Sequence, residues 1–350
     1  MKQIVVWFGV LLALGVQAAA APVPKEPVDP KAVALPEKCH LCFAQGKWLL
    51  CRHSTPVPRG RDDKADRATI RYYLAPLGVE KGRLVFEAEC DIFTEPRPML
   101  ITDDRDVLFT SVWGCVWYDP KNGPLATGAD NGSAPLLLPG SKRTAGIKVA
   151  NEFGCAAQFL DEKSNAPLYY VPLKGTEFQP DQAVLLSKNY GHSFEWNVKI
   201  DGRRIARGEG VYDAETKVKW SPLQAKRKPE LRALSGDTVV YEALAKNGRD
   251  KEVIAFDAVT QKVLSVRPRK DNELLVGARD RLGLFFRSTG AGDAWEVFGA
   301  DLADAAAKDI FATPIGDHKS VPTHYLTRDG VRFYTNDGFK SVGWNGGPLR

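Results

Sequence analysis

The sequence predicts an all-β fold made of small antiparallel sheets repeated along the chain, and three observations predict it. Helical periodicity is scarce across the 350 residues; the best stretch, residues 302–311 with Ala303, Ala305, Ala306 and Ala307, suits no more than a short helix or turn. Short apolar runs alternate with turns rich in Gly, Asn and Asp. An apolar strand ending in Asp recurs at Asp119, Asp161, Asp201, Asp257 and Asp301, with spacings of 42, 40, 56 and 44 residues. Periods of this size with several strands per unit are those of propeller blades, in which radial packing buries both faces of each sheet. Residues 72–344 have room for six or seven such units. The competing arrangement is a pair of β-sandwiches whose strands end in Asp, a common turn residue.

The elements follow in chain order. Lys2 precedes an apolar run over residues 4–16, and Ala18 to Ala21 follow it. A basic start, a short apolar centre and a small-residue end make a secretory signal peptide, residues 1–18, with cleavage at 18 or as far as 21. The run is shorter than the roughly 20 residues that span a bilayer, and no later segment is more apolar, so the mature chain is expected to be secreted or periplasmic with no membrane span. Pro22, Pro24, Pro27, Pro30 and Pro36 make residues 22–37 an extended linker or loosely held arm. Residues 38–60 form a Cys/His-containing segment, and residues 61–350 the propeller domain. Within that domain the clearest meander is C-terminal: Thr323 to Thr327, Val331 to Tyr334 and Phe339 to Trp344, separated by Asp329-Gly330 and Asn336-Asp337-Gly338. Two more run from Ser193 through Asp201-Gly202 to Trp220, and from Thr238 to Leu264.

Six cysteines, Cys39, Cys42, Cys51, Cys90, Cys115 and Cys155, are an even number in an exported chain, which favours disulfides. Cys39, Cys42, Cys51 and His53 also form a C-x2-C-x8-C-x-H pattern with a possible zinc or copper site, although the second half is short for zinc. A dithiol that exchanges disulfides is a third reading. Phe43 stands where a haem attachment motif needs His. Cys115 and Cys155 precede Asp119 and Asp161 by even offsets, so equivalent strands in neighbouring blades would bring them together, bridged or as two buried thiols.

The stretch Asp237-Thr238-Val239-Val240-Tyr241, followed by residues 252–264, resembles one blade of TolB-type or quinoprotein-like β-propellers, and residues 280–301 resemble a degenerate second copy. No Trp is followed by Asp, so the tryptophan–aspartate repeat signature is absent. The resemblance implies a scaffold shared by binding proteins and enzymes.

Chemistry is sparse. The charge of +5 is too slight to argue for nucleic acid or an anionic membrane. Glu87, Glu89 and Asp91 alternate with apolar residues and read as the solvated face of a strand. Asp103-Asp104-Arg105-Asp106 lacks the spacing of a calcium loop and reads as a polar turn. Tyr190-Gly191-His192-Ser193 lacks a nucleophile elbow, and His318 and His324 stand alone. Trp113, Trp117, Tyr118, Trp196, Trp220, Trp295 and Trp344 suit blade cores, with sugar stacking as the alternative. Lys226-Arg227-Lys228 and Arg267-Pro268-Arg269-Lys270 read as solvated turns, and Asn131-Gly132-Ser133 is a glycosylation sequon. No catalytic residue and no cofactor is assigned. The expectation is an exported, non-enzymatic propeller that binds a protein or glycan through its central face. The alternatives are a glycan-active hydrolase or lyase with carboxylates at inner strand ends, and metal binding at Cys39, Cys42, Cys51 and His53.

Overall fold

A computed structural model describes residues 30–348 except 59–66, 77–80, 92–94, 112–113, 122–124, 126–135, 140, 142–143, 160–166, 188–197, 209, 291–293, 305–307, 318–320, 323, 328 and 336–337. The signal peptide, most of the Pro-rich arm, Asn131 to Ser133, His192 and His318 therefore lie outside the described residues.

The described strands form seven antiparallel sheets, numbered here in chain order. Sheet 1 comprises His40–Gln45, Trp48–Pro56, Arg67–Pro76 and Lys81–Asp91. Sheet 2 has Arg97–Ile101, Val107–Ser111 and Gly114–Tyr118, and sheet 3 has Gly146–Asn151, Gly154–Gln158 and Leu168–Lys174, with Glu177–Phe178 and Val184–Ser187 both pairing on the last. Sheet 4 runs Val198–Asp201, Arg204–Arg207, Gly210–Asp213 and Lys219–Trp220; sheet 5 runs Glu230–Ser235, Thr238–Leu244, Lys251–Asp257 and Lys262–Pro268. Sheet 6 has Glu273–Arg279, Leu282–Ser288, Ala294–Asp301 and Phe311–Asp317, and sheet 7 has His324–Thr327, Gly330–Thr335 and Gly338–Gly343. The first strand of each sheet lies against the first strand of the next, and that of sheet 7 lies against that of sheet 1. The sheets thus close a ring with the first strands innermost. This is a β-propeller, and its innermost strands surround a central axis.

Alternation makes each sheet apolar on both faces, and the clusters between neighbours follow from it. Tyr72, Phe86 and Phe109 pack sheet 1 on sheet 2 at ring separations of 5.4 to 5.9 Å. Clusters of buried side chains likewise span sheets 2 and 3, 3 and 4, 4 and 5, 5 and 6, and 6 and 7. Among the described residues, the cluster on the remaining face of sheet 1 (Leu41, Leu49 and Cys51) includes none from sheet 7.

The hairpin tips joining first to second strands are tied to one another. Asn151 donates to the Gly202 carbonyl at 2.7 Å, Asp201 accepts from the Gly236 N–H, and the Asp280 N–H donates to the Ser235 hydroxyl at 3.3 Å. Gly46, Gly202 and Gly236 open their two-residue tips at φ near 55°, a conformation glycine adopts without Cβ strain.

The sequence expectations meet this structure unevenly. The C-terminal meander and the one from Ser193 to Trp220 fall on sheets 7 and 4, and the third on sheet 5. The sheets begin earlier than residue 61: the Cys/His segment supplies the two inner strands of sheet 1. The Pro-rich arm is held in part, because Val33–Ala34 pairs with Gly82 and Lys81 on the outer edge of that sheet. Residues 302–304 turn between two strands of sheet 6 rather than forming helix. The disulfide expectation is corrected, since all six cysteines are free thiols. Cys115 and Cys155 do meet, in the cluster between sheets 2 and 3, as unbridged apolar fillers 4% and 0% exposed.

The Asp repeat is real but was partly misplaced. Asp119, Asp257 and Asp301 follow or end third strands. There the Asp257 carboxylate accepts the N–H groups of Val259 and Thr260 at 2.9 and 2.7 Å, capping its own turn. The equivalent in sheet 4 is Asp213, which accepts from Glu215 and Thr216 at 3.0 and 2.9 Å, whereas Asp201 ends the innermost strand. Asp213, Asp257 and Asp301 are each 44 residues apart.

Candidate functional site

The innermost strands leave a cavity of about 400 Å³ beside the axis, lined by Lys199 of sheet 4, Glu230, Leu231 and Arg232 of sheet 5, Leu274, Leu275 and Val276 of sheet 6, and His324 of sheet 7. These residues occupy the first halves of their strands, away from the tied hairpin tips, so the cavity lies toward the end where the innermost strands begin.

A recurrent backbone irregularity shapes this wall. In sheet 5 the register passes from Leu231 opposite Tyr241 to Ala233 opposite Val240, leaving Arg232 unpaired in the ladder. Val276 is skipped in the same way in sheet 6, Lys148 in sheet 3, Met99 in sheet 2 and Cys42 in sheet 1. A bulge of this kind turns one side chain away from the alternating pattern and bends the strand. In sheets 5 and 6 the bulged residues are cavity-lining.

The wall is basic. Arg97, Lys148, Lys199 and Arg232 sit on four successive innermost strands, and His324 on that of sheet 7. Desolvation lowers the Lys148 ammonium from the usual lysine value, and Arg97 nearby lowers it further. Lys199 is lowered in the same way by desolvation and then by Arg232. Its side chain keeps accessible surface while protein surrounds it, as expected of a group on a concave wall. Among the described residues no carboxylate pairs with it.

Arg232, by contrast, is neutralised. It reaches Glu230 at 2.7 Å and Glu242 at 3.0 Å, and Glu242 also meets Lys251 and Arg269, each at 2.9 Å. Burial alone would raise the Glu242 carboxyl; the Lys251 hydrogen bond and the charges of Arg232 and Arg269 outweigh it and hold the group below the ordinary range. His324 donates from Nδ1 to the Pro322 carbonyl at 3.0 Å, which leaves Nε2 as the acceptor nitrogen, and its ring meets Phe286 edge-on at 5.2 Å. Burial depresses its basicity, and Lys199 adds to this, with the Pro322 contact opposing. The wall therefore presents a neutral imidazole beside an ammonium that lacks a counter-ion.

The residues singled out in the sequence for metal are divided by the sheet. Cys51 lies on the face shared with Leu41, Leu49 and Cys39, and Cys42 packs with Trp48 and Leu50 on the other, donating its thiol to the Leu50 carbonyl at 3.2 Å. His53, two residues beyond Cys51 on the same strand, buries Nδ1 without a hydrogen-bond partner. No group of three or more His, Cys, Asp and Glu side chains among the described residues could hold a metal ion. The Glu87 and Glu89 carboxylates pair with Arg71 and Arg67 at 2.6 and 3.0 Å, on an ion-paired outer face. Residues 102–106 form the polar turn expected, with the Asp106 N–H donating to Thr102 at 3.0 Å. Trp117 and Trp220 pack in blade interfaces against Phe178 and Phe256.

No protein-family model matches the chain, and no curated protein matches it. Among solved structures it is similar to the β-propeller domain of the Trilobed protease from Pyrococcus furiosus, at 9% identity and TM-score 0.47, over 89% of this chain and 97% of that one. An acylaminoacyl peptidase from Pyrococcus horikoshii gives 10% identity and TM-score 0.47 over 89% of this chain and 53% of that one. An oligogalacturonate lyase from Vibrio parahaemolyticus gives 12% identity and TM-score 0.44 over 85% and 87%. At these values the propeller assignment rests on the ring of seven sheets described above.

Proposed function

We propose that this chain is a non-enzymatic β-propeller of the exported class, of TolB-type or quinoprotein-like ancestry, that binds an anionic segment of a protein or glycan partner at its central cavity. The observation that carries this reading is Lys199: an ammonium that reaches solvent from a concave wall, next to Arg232 and His324, with no carboxylate paired to it among the described residues. An ammonium without a counter-ion gains from a ligand carboxylate through a charge-assisted hydrogen bond, and the concave wall holds the two in register. Reading the same wall as that of a glycan hydrolase requires two free acids about 5 to 10 Å apart. The one carboxylate lining the cavity among the described residues, Glu230, is engaged by Arg232 at 2.7 Å, which favours binding over acid–base chemistry.

The test is equilibrium binding of fluorescent poly-glutamate and of a polyuronate, against neutral dextran, at low and physiological salt. Lys199→Gln is expected to weaken the preferred polyanion about tenfold, equivalent to about 1.4 kcal/mol. Lys262→Gln, on an exposed outer strand, is expected to leave it unchanged. Equal affinity in Lys199→Gln and wild type, or equal binding of dextran, refutes the proposal.

A further inference from the structure

The basic stretch Lys226-Arg227-Lys228 borders a groove of about 620 Å³ between sheets 4 and 5. One wall, residues 222–227, belongs to the connector from sheet 4 to sheet 5; the other, residues 244–248, belongs to the hairpin after the second strand of sheet 5. Each wall is braced by its own backbone. The Arg227 and Lys228 N–H groups donate to the Gln224 and Ala225 carbonyls at 3.0 and 2.9 Å, and the Ala245 N–H donates to the Asp250 carbonyl at 2.8 Å. Arg227 ties the walls together, donating from Nε to the Leu244 carbonyl at 2.8 Å and from Nη2 to Glu252 at 2.6 Å. The floor is apolar: Leu223 is buried in the cluster between the two sheets, and Pro222, Leu244 and Ala245 are half-buried. Lys226 and Lys246 stand exposed on opposite walls, with Lys228 exposed beside the first. Among the described residues none of these three lysines pairs with a carboxylate, Glu252 is taken by Arg227, and no acidic side chain lines the groove.

We propose that this groove docks an acidic segment of a partner protein that carries an apolar side chain among its carboxylates. The apolar side chain covers the floor and takes it out of water. The carboxylates meet Lys226 and Lys246 at the rim, where complementary charge steers the encounter and selects the partner. A polyuronate would satisfy the lysines alone and leave the floor wet, and no aromatic ring lines the groove for a pyranose to stack on. The volume lies within the range of about 300–1,000 Å³ usual for ligand sites. The groove opens at the end of the ring where the innermost strands begin, as the central cavity does, but the two share no lining residue. Docking here is therefore independent of any binding at that cavity.

The experiment follows the fluorescence anisotropy of a fluorescein-labelled peptide of six glutamates around a central leucine, at low and physiological salt. The peptide is titrated with the full chain carrying Lys199→Gln, so that the central cavity lacks its ammonium. Adding Lys226→Glu and Lys246→Glu together is expected to weaken binding about tenfold. Adding Lys217→Glu and Lys262→Glu instead makes the same change of charge at the opposite ends of sheets 4 and 5, and is expected to leave affinity within about twofold. These four lysines are exposed and lie outside every ion pair described, so their reversal leaves the fold intact. Serine in place of the peptide's leucine is expected to weaken binding about tenfold, because the floor then stays in water. Equal loss in the two double variants, a serine peptide that binds as tightly as the leucine peptide, or displacement of the peptide by a polyuronate at equal carboxylate concentration overturns the proposal.

Discussion

Replacing Glu242 by Gln tests the charge arrangement that frames the cavity. The side chain is 3% exposed and meets three cations, Arg232, Arg269 and Lys251, at 2.9 to 3.0 Å. Removing one partner of a buried ion pair costs about 3–5 kcal/mol, since the other charge stays behind uncompensated. Here the arginines are about one-fifth exposed and Lys251 about half, so water recovers part of the loss, and Gln keeps a hydrogen-bonding oxygen. The expected loss is about 2–3 kcal/mol at pH 7, read as a lower urea midpoint at unchanged slope. The pH dependence has a definite sign. The folded carboxyl is depressed below its unfolded value, so its contribution is complete above the ordinary glutamate range and is lost as pH falls through the folded value. The gap between wild type and Glu242→Gln must therefore narrow in acid, because the wild type loses there what the variant lacks throughout. The same substitution leaves Arg232 paired with Glu230 alone and makes the wall one charge more positive, so the variant should bind polyanions more tightly while being less stable. A variant as stable as wild type at pH 7, or a gap constant down to pH 3, would refute the reasoning.

Three further predictions concern the scaffold. Phe285 is 1% exposed, stacks on Phe298 at 5.0 Å and lies under the Arg267 guanidinium; Phe285→Ala should cost about 3–5 kcal/mol by urea unfolding. Gly154→Ala places a Cβ 2.5 Å from the Val171 carbonyl oxygen and 2.7 Å from the Tyr170 hydroxyl, so a loss of about 1–3 kcal/mol is expected, and an unchanged thermal midpoint would contradict the packing described. Asp257→Ala should cost about 1 kcal/mol through its turn, and Asp213→Ala more, about 1–3 kcal/mol, since Asp213 caps its turn and also pairs with Arg204 at 3.1 Å.

The strands were legible because their period is local. Alternating apolar residues and Gly-containing turns placed sheets 4, 5 and 7 before any contact was known. The Asp repeat was legible only in part, because two unrelated jobs give the same pattern of an apolar strand followed by Asp. Asp257 and Asp213 cap a turn in which Thr260 and Thr216 stand three residues on, and Gln261 and Lys217 follow with positive φ. Asp201 is followed at once by Gly202 and reaches instead to the Gly236 N–H of the next sheet. The Gly immediately after Asp201, absent after Asp119, Asp257 and Asp301, was the available discriminator. The separation of the thiols follows from strand alternation: Cys42 lies an odd number of residues from Cys39 and faces the far side, while Cys39 and Cys51 share the near one, so the Cys-x2-Cys spacing suggests a pair that the sheet divides.

The basic wall was hidden for a related reason, and the reason yields a rule. Lys148, Lys199 and Arg232 sit singly among apolar neighbours more than 30 residues apart, so no window of sequence contains two of them. Strict alternation would also misplace Arg232: it stands between Leu231, which packs toward sheet 4, and Ala233, which packs toward sheet 6. Those two neighbours face opposite ways, which is possible in a strand only if the residue between them is bulged out of the ladder. In four sheets the bulged residue stands three places before the last paired residue of the innermost strand: Cys42 before Gln45, Lys148 before Asn151, Arg232 before Ser235 and Val276 before Arg279. A tight turn is the feature of a β-sequence read most easily, and counting back three from it finds the position that leaves the sheet's alternation. In this chain that position holds a base in sheets 3 and 5, a valine in sheet 6 and a thiol in sheet 1. The bulge does not exempt the position from packing: Cys42 and Val276 still join blade-interface clusters, whereas Lys148 and Arg232 carry a charge there. The position thus takes an apolar side chain in two sheets and a base in two others, and in this way the ring varies the charge of its innermost strands.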